Sequence, residues 1–241
     1  MITFTPYYSG SKGNLYLVTA GSMKILLECG VSKSDILKCD FRLSDIDACF
    51  ISHEHKDHAK AWETMLKHGV TIFTTNGTAK AAGIWKYCGL QYYEPARVFT
   101  PDVSITAIPL HHDAREPAGC IIKNGTDSKN GTDSLLYATD TYYLDDAVNG
   151  LTHIAIECNH SYKTLQDHAG DAVAMKLADR IAHSHMALET LLDWLKACDL
   201  SKCREIWLCH MSDTNGDAEG FKQAVQQATG LPTFVAPAAR W

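Results

Sequence analysis

The stretch Ser52-His53-Glu54-His55-Lys56-Asp57-His58-Ala59 packs five possible metal-ligating side chains into one short segment. His53 and His55 are two residues apart, so in extended backbone their imidazoles point to the same side. Asp57 and His58 follow a turn and can face a second point nearby. One metal ion cannot take all four and keep an open position, whereas two adjacent ions can. That pattern suits two-metal hydrolysis, in which paired cations activate water and clamp the attacked group.

The surrounding pattern says what must hold these residues in place. Ile2 to Tyr8, Leu15 to Thr19, Met23 to Glu28 and Ala48 to Ile51 read as strands, and the histidine segment follows the last of them. Ala59 to His68 has helical spacing and stops at Gly69, so the ligand segment is a strand-to-helix loop. Val70 to Thr74 reads as a strand and Thr78 to Cys88 as a helix ending at Gly89. Further strands are expected at Val103 to Leu110, Cys120 to Lys123, Leu135 to Ala138, His153 to Glu157 and Glu205 to Cys209. Helices are expected at Ala187 to Cys198 and Ala218 to Ala228. The tract 124–134 repeats Asn-Gly-Thr-Asp-Ser, and its Asn-Gly steps predict an extended loop between two strands. Two groups of strands with interleaved helices and no linker predict an α/β (α+β) fold, a four-layer αββα sandwich forming one domain over residues 1–241. His53, His112, Asp140 and His210 each follow a predicted strand, which gathers them on one rim.

Composition narrows the classes. Hydrophobic residues make up 46% and charged residues 21% of 241 residues, as in ordinary globular proteins. A net charge of −6 argues against a broadly basic nucleic-acid-coating surface. It leaves room for nucleic acid at a cleft where ions supply the positive charge. Nine scattered cysteines and no leader-like N-terminus point to a reduced, cytoplasmic protein. No apolar run reaches membrane-spanning length.

His53-Glu54-His55-Lys56-Asp57-His58 resembles the HxHxDH motif of the metallo-β-lactamase superfamily. Its other elements follow in order: an acidic strand end at Glu28, a histidine, Asp140 in Tyr137-Ala138-Thr139-Asp140, and His210 in Trp207-Leu208-Cys209-His210. The runs Ser9 to Asn14, His112 to Gly119, Glu157 to His160 and His210 to Asn215 look like those of the YycJ/WalJ-type bacterial hydrolases, a group of DNA exonucleases. The resemblance implies a first metal held by His53, His55 and His112, a second held by Asp57, His58 and His210, and Asp140 bridging both. His111 is the neighbouring alternative to His112, but the residues that follow fit the family pattern only with His112 as the ligand. The family usually has Asp where this chain has Glu28, a residue implied to orient the loop and not to bind metal.

Imidazole and carboxylate suit zinc or manganese, and also iron. Two divalent ions bring about four positive charges, and Asp57, Asp140 and a bridging hydroxide offset about three, so an anionic phosphodiester fits. Asp57 can align the attacking hydroxide and accept its proton. The implied activity is a dinuclear phosphodiesterase, a DNA exonuclease using a metal-bridging hydroxide. The alternative is a small-substrate hydrolase of a cyclic phosphodiester, a lactone or lactam, or a thioester. A di-iron oxidoreductase of the superfamily would carry Glu at His55, and a non-catalytic relative would have lost ligands.

His160 and His185 are further catalytic candidates, able to contact phosphate or protonate a leaving oxygen; each can equally be a hydrogen-bonded structural histidine. The Ser9–Asn14 turn could offer amides to a phosphate or simply close a hairpin. Lys12 and Lys163 could steer DNA or remain solvated. Tyr142 and Tyr143 fit packing better than base stacking.

Overall fold

The computed structural model describes residues 1–97, 100, 102–125, 132–168 and 172–238. Among them the strands form two sheets. The first holds β1 (Ile2–Tyr8), β2 (Leu15–Ala20), β3 (Met23–Leu27), β4 (Ala48–Phe50), β5 (Thr71–Thr75) and β6 (Cys88–Leu90), side by side in chain order. The second holds β7 (Pro95–Arg97), β8 (Val103–Pro109), β9 (Ala118–Asn124), β10 (Asp133–Ala138), β11 (His153–Glu157), β12 (Glu205–Cys209) and β13 (Thr233–Val235). Each sheet starts antiparallel and turns parallel, at β3–β4 and at β10–β11.

Residue alternation along the strands creates three cores. Tyr16 and Val18 of β2 face the space between the sheets, where Ile25, Phe50, Leu135 and Tyr137 meet them. Leu15 and Leu17, one position out of phase, face the opposite way with Leu26, Cys49 and Ile72. There they are covered by α1 (Lys33–Ile36), α2 (Lys56–Ala59), α3 (Trp62–Lys67) and α4 (Asn76–Ala82). In the second sheet Leu136, Ala138, Ile154 and Leu208 face outward, opposite to Leu135 and Tyr137. The chain adds α5 (Tyr162–His168), α6 (Ala172–Ala182), α7 (Leu188–Ala197) and α8 (Ala218–Thr229), and Leu191, Leu195, Phe221 and Val225 of the last two close this third core. Strands buried on both faces read as continuous apolar runs, as Leu15–Val18 does. The expected αββα layering is therefore the observed one.

Two helices differ from the sequence expectation. The helix expected over Ala59 to His68 is split, because the Ala61 amide is used by the Cys29 carbonyl at 2.9 Å and α3 starts only at Trp62. The helix expected over Thr78 to Cys88 ends at Ala82. Gly83 caps it in the left-handed region at φ 72°, and Cys88 to Leu90 pairs with β5. The repeat predicted to be a loop lies mostly outside the described residues; the strands on either side of it pair antiparallel, Asp133 opposite Asn124. No helix among the described residues is long and apolar enough to cross a membrane.

Candidate metal centre

All seven candidate ligands sit just beyond strand ends. His53, His55, Asp57 and His58 follow β4, His112 follows β8, Asp140 follows β10, and His210 directly follows β12. Two of these strand exits turn through the left-handed region on non-glycine residues, Asp140 at φ 57° and His210 at 52°, and so does the exit of β3, on Glu28 at 65°. Such backbone costs about 1–3 kcal/mol per residue and persists where its surroundings hold it. Glu28 donates its amide to the Phe50 carbonyl at 2.8 Å, and the His210 amide donates to Ser9 Oγ at 2.8 Å. Next to Asp140, the Thr141 amide donates to Glu157 Oε2 at 2.8 Å.

The side chains converge as two groups sharing Asp140: His53, His55 and His112 in one, Asp57, His58 and His210 in the other. His55 Nδ1 lies 3.0 Å from His53 Nε2 and 3.3 Å from His112 Nε2. A tetrahedral ion bound at about 2.0–2.1 Å separates neighbouring donors by roughly 3.3 Å, so this edge-to-edge packing of nitrogens is what a shared cation needs. Asp140 Oδ2 lies 3.4 Å from His53 Nε2 and 2.8 Å from His58 Nε2. On the other side, Asp57 Oδ2 is 3.6 Å from His58 Nε2 and 3.7 Å from His210 Nε2. The latter is a charge contact too long for a hydrogen bond. Among the described residues His210 Nε2 is buried with no hydrogen-bond partner, while Asp140 Oδ1 lies 2.9 Å from His210 Nδ1. An orphaned polar atom of this kind is costly unless something binds it, and a cation would satisfy this nitrogen. The donor set therefore fits the two divalent ions expected from the sequence.

A surrounding layer fixes the rings. Ser52 Oγ meets His53 Nδ1 at 2.9 Å, and His112 Nδ1 faces the Ser184 carbonyl at 3.0 Å. Glu28, fully buried, lies 3.3 Å from His58 Nδ1 and accepts the Ser52 amide at 3.2 Å. It thus contacts both ends of the ligand loop, at Ser52 and at His58. Glu157 Oε1 contacts both His210 Nδ1, at 3.1 Å, and His185 Nδ1, at 2.8 Å. Partners on the far nitrogen set tautomer and ring orientation, which turns the opposite nitrogen toward the ligand position. The sequence reading quoted Glu157 within a motif but gave it no role. Its signal was an acidic residue ending an apolar strand, the same signal that marked Glu28.

Protonation follows the neighbours. Burial, with the His58 charge alongside, drives His53 well below its ordinary value and favours the neutral ligand form. Burial also disfavours charge on His58, but the Asp140 and Glu28 carboxylates outweigh it and hold the imidazolium up to about 10. Burial likewise opposes ionisation of Asp57, yet His210 and His58 outweigh it and keep the carboxyl below its usual range.

A cavity of about 230 Å³ opens over both groups, lined by His55, Asp57, His112, Asp140, His185 and His210, with Arg180 and Asp113 at its wall. His185 is thus brought to the site. Burial disfavours its charge, but Glu157 and Asp140 outweigh that and hold the imidazolium up to about 9. His160 is not at the surface of this cavity. It is fully buried, among the described residues neither ring nitrogen has a partner, and burial drives it down to about 4. His111 turns away, its Nε2 2.8 Å from Asp145 and its ring stacked 4.1 Å from Tyr143. That leaves Tyr143 packed on protein. Of the Ser9–Asn14 turn, Ser11 lines the cavity, while the Gly10 amide is used by Asn14 Oδ1 and the Asn14 amide by the Asp57 carbonyl. Lys12 pairs with Asp213 at 3.0 Å, and Lys163 is exposed and pairs with Asp167. Arg180 carried no sequence signal, being an ordinary exposed charge on a helix, and Asp113 lay within the quoted run 112–119 without a role.

The ligand loop is seated against Gly30. A Cβ there would lie 1.6 Å from the Asp57 carbonyl oxygen and 2.7 Å from the His58 amide. Gly30→Ala is therefore expected to displace Asp57 and His58 together, at the upper end of the ~1–3 kcal/mol typical of overpacking. Thermal melting and the metal content of protein purified with added zinc check this; a wild-type melt with full metal content would refute the seating.

The chain is also similar to known proteins. The family model described as beta-lactamase superfamily domain matches residues 24–211. The chain is 26% identical over 229 residues to exodeoxyribonuclease WalJ of Streptococcus pneumoniae, covering 88% of this chain and 82% of that protein. It is 21% identical over 243 residues to exodeoxyribonuclease YycJ of Bacillus anthracis, covering 93% and 88%. In structure it is similar to the metallo-β-lactamase fold protein YhfI of Bacillus subtilis, with TM-score 0.74 and 16% identity over 100% of this chain and 99% of that one.

Proposed function

The chain belongs to the beta-lactamase superfamily, and from that membership we propose that residues 1–241 act as one hydrolase domain, a two-metal phosphodiesterase that removes nucleotides from a DNA end. The observation that carries the reading is the pair of ligand groups joined at Asp140 beneath an open cavity. His53, His55 and His112 would hold one ion, Asp57, His58 and His210 the other, with Asp140 between them. Bound there, zinc, manganese or iron would supply Lewis acidity, lowering the pKa of a water and withdrawing charge from the attacked phosphorus.

The protein's own groups do the rest. Asp57, ionised and facing the cavity, orients the attacking water and takes its proton. His185, held by Glu157, stands at the cavity wall where it can protonate the departing sugar oxygen. His160 has no route to substrate and acts as a packed residue behind the Glu157 strand end. Arg180 supplies a phosphate contact at the wall, in exchange for the 3.4 Å pair it makes with Asp113. The likeness to two proteins named exodeoxyribonucleases supports DNA as the substrate class. Nine free thiols support a reducing, cytoplasmic setting.

Purified protein supplied with Mn²⁺ or Zn²⁺ is expected to release nucleotides from an end-labelled duplex, and a chelator to stop it. DNA left intact while bis-p-nitrophenyl phosphate is rapidly cleaved would replace this reading with the small-substrate one.

A further inference from the structure

The metal-lined cavity has a neighbour. Ile181, near the end of α6, forms part of its wall and also part of the wall of a second cavity of about 300 Å³. The second cavity lies among α5, α6 and the loop that leaves His210, with Leu165, His168, Ala178, Ser212, Thr214 and Asn215 completing its lining. Its volume is at the lower end of small-molecule sites, roughly 300–1,000 Å³.

The two cavities differ in kind. The first presents Asp57, Asp113, Asp140 and Arg180, groups that deal with charge. Among the described residues lining the second, none is Lys, Arg, Asp or Glu. A phosphate has no counter-charge there. A flat, neutral body with apolar faces and a hydrogen-bonding edge does fit. Leu165, Ala178 and Ile181 offer apolar contact, and the His168 imidazole offers a plane for stacking. Thr214 and Asn215 offer hydroxyl and amide groups for the edge. His168 and Asn215 are held in advance: His168 Nδ1 lies 2.8 Å from Asn215 Oδ1, and Thr164 Oγ1 donates to the Asn215 carbonyl at 2.7 Å.

We propose that this second cavity takes the nucleobase of a nucleotide flanking the bond that is cut, while the metal-lined cavity takes the phosphate. The inference rests on the DNA reading above. Ile181 then stands between base and phosphate, which a nucleotide links through its sugar.

The test uses the intact protein with Mn²⁺ and end-labelled oligonucleotides carrying one abasic residue on either side of the cleaved bond. At one of the two positions the missing base is expected to lower kcat/KM about tenfold or more. In Ala178→Trp, whose indole would occupy the cavity, that penalty is expected to vanish, because the base no longer enters. If the tryptophan variant does not fold, His168→Ala is expected to shrink the penalty instead. Equal kcat/KM at both positions, on DNA that the enzyme otherwise digests, overturns the base site and leaves the exonuclease reading standing. A penalty unchanged in a folded variant places the base elsewhere and overturns it too. Failure to digest any DNA sinks the underlying reading first.

Discussion

Replacing Asp57 by asparagine is expected to leave the fold intact and lower DNA turnover by about 10²–10⁴-fold, the range typical of losing a positioned proton acceptor. The fold should survive because the structural work at this position belongs to the backbone. The Asp57 carbonyl accepts the Asn14 amide at 2.8 Å and Asn14 Nδ2 at 3.1 Å, and asparagine keeps both. Among the described residues the Asp57 carboxylate, by contrast, pairs only with His58 and His210, and it lines the cavity. The amide is nearly the same size but carries no charge and cannot take a proton from water. It also weakens the group of ligands formed with His58 and His210, so metal content at the second position should fall as well. Melting temperature, metal count and nucleotide release, measured on the same preparation, separate these effects. A variant that melts like the wild type and turns over at the wild-type rate would remove Asp57 from proton handling.

How much of this was readable beforehand depended on the kind of signal. The candidate ligands could be grouped because chemistry limits their types and because strand ends gather polar residues on one rim; His53, His112, Asp140 and His210 all arrive there by that route. The layers were legible because Leu15–Val18 and Leu135–Ala138 are apolar on both faces, which only a sheet covered on both sides permits. Choosing His112 over His111 needed the motif, since both follow the same strand, and only the structure displays His111 paired with Asp145. Other features were hidden for physical reasons. Splitting of the helix after Ala59 depends on a distant carbonyl, that of Cys29, which no local pattern encodes. The short strands β6, β7 and β13 have three residues each and owe their state to pairing with neighbours, not to propensity. The role of Glu157 depends on meeting His185 and His210, which lie on separate later segments.

Glu157 and His185 lead to the second large effect. His185→Ala is expected to lower DNA cleavage by about 10²–10⁴-fold while lowering hydrolysis of bis-p-nitrophenyl phosphate by less than about tenfold. The reason lies in the departing oxygen. A sugar oxygen leaves as a strongly basic alkoxide and needs a proton in the transition state; a nitrophenolate leaves unaided. In the proposed reading His185 provides that proton. It lines the cavity and its Nδ1 is anchored 2.8 Å from Glu157 Oε1. It stacks on His210 with ring centroids 5.3 Å apart. Glu157→Gln should behave differently, because Glu157 Oε1 also faces His210 Nδ1 at 3.1 Å. Losing that charge disturbs a ligand as well as the acid, so both substrates should suffer and metal content should drop. The two variants thus separate positioning from proton delivery. Equal losses on both substrates in His185→Ala would mean that the imidazole merely packs against His210, and the proton for the leaving oxygen would have to come from water.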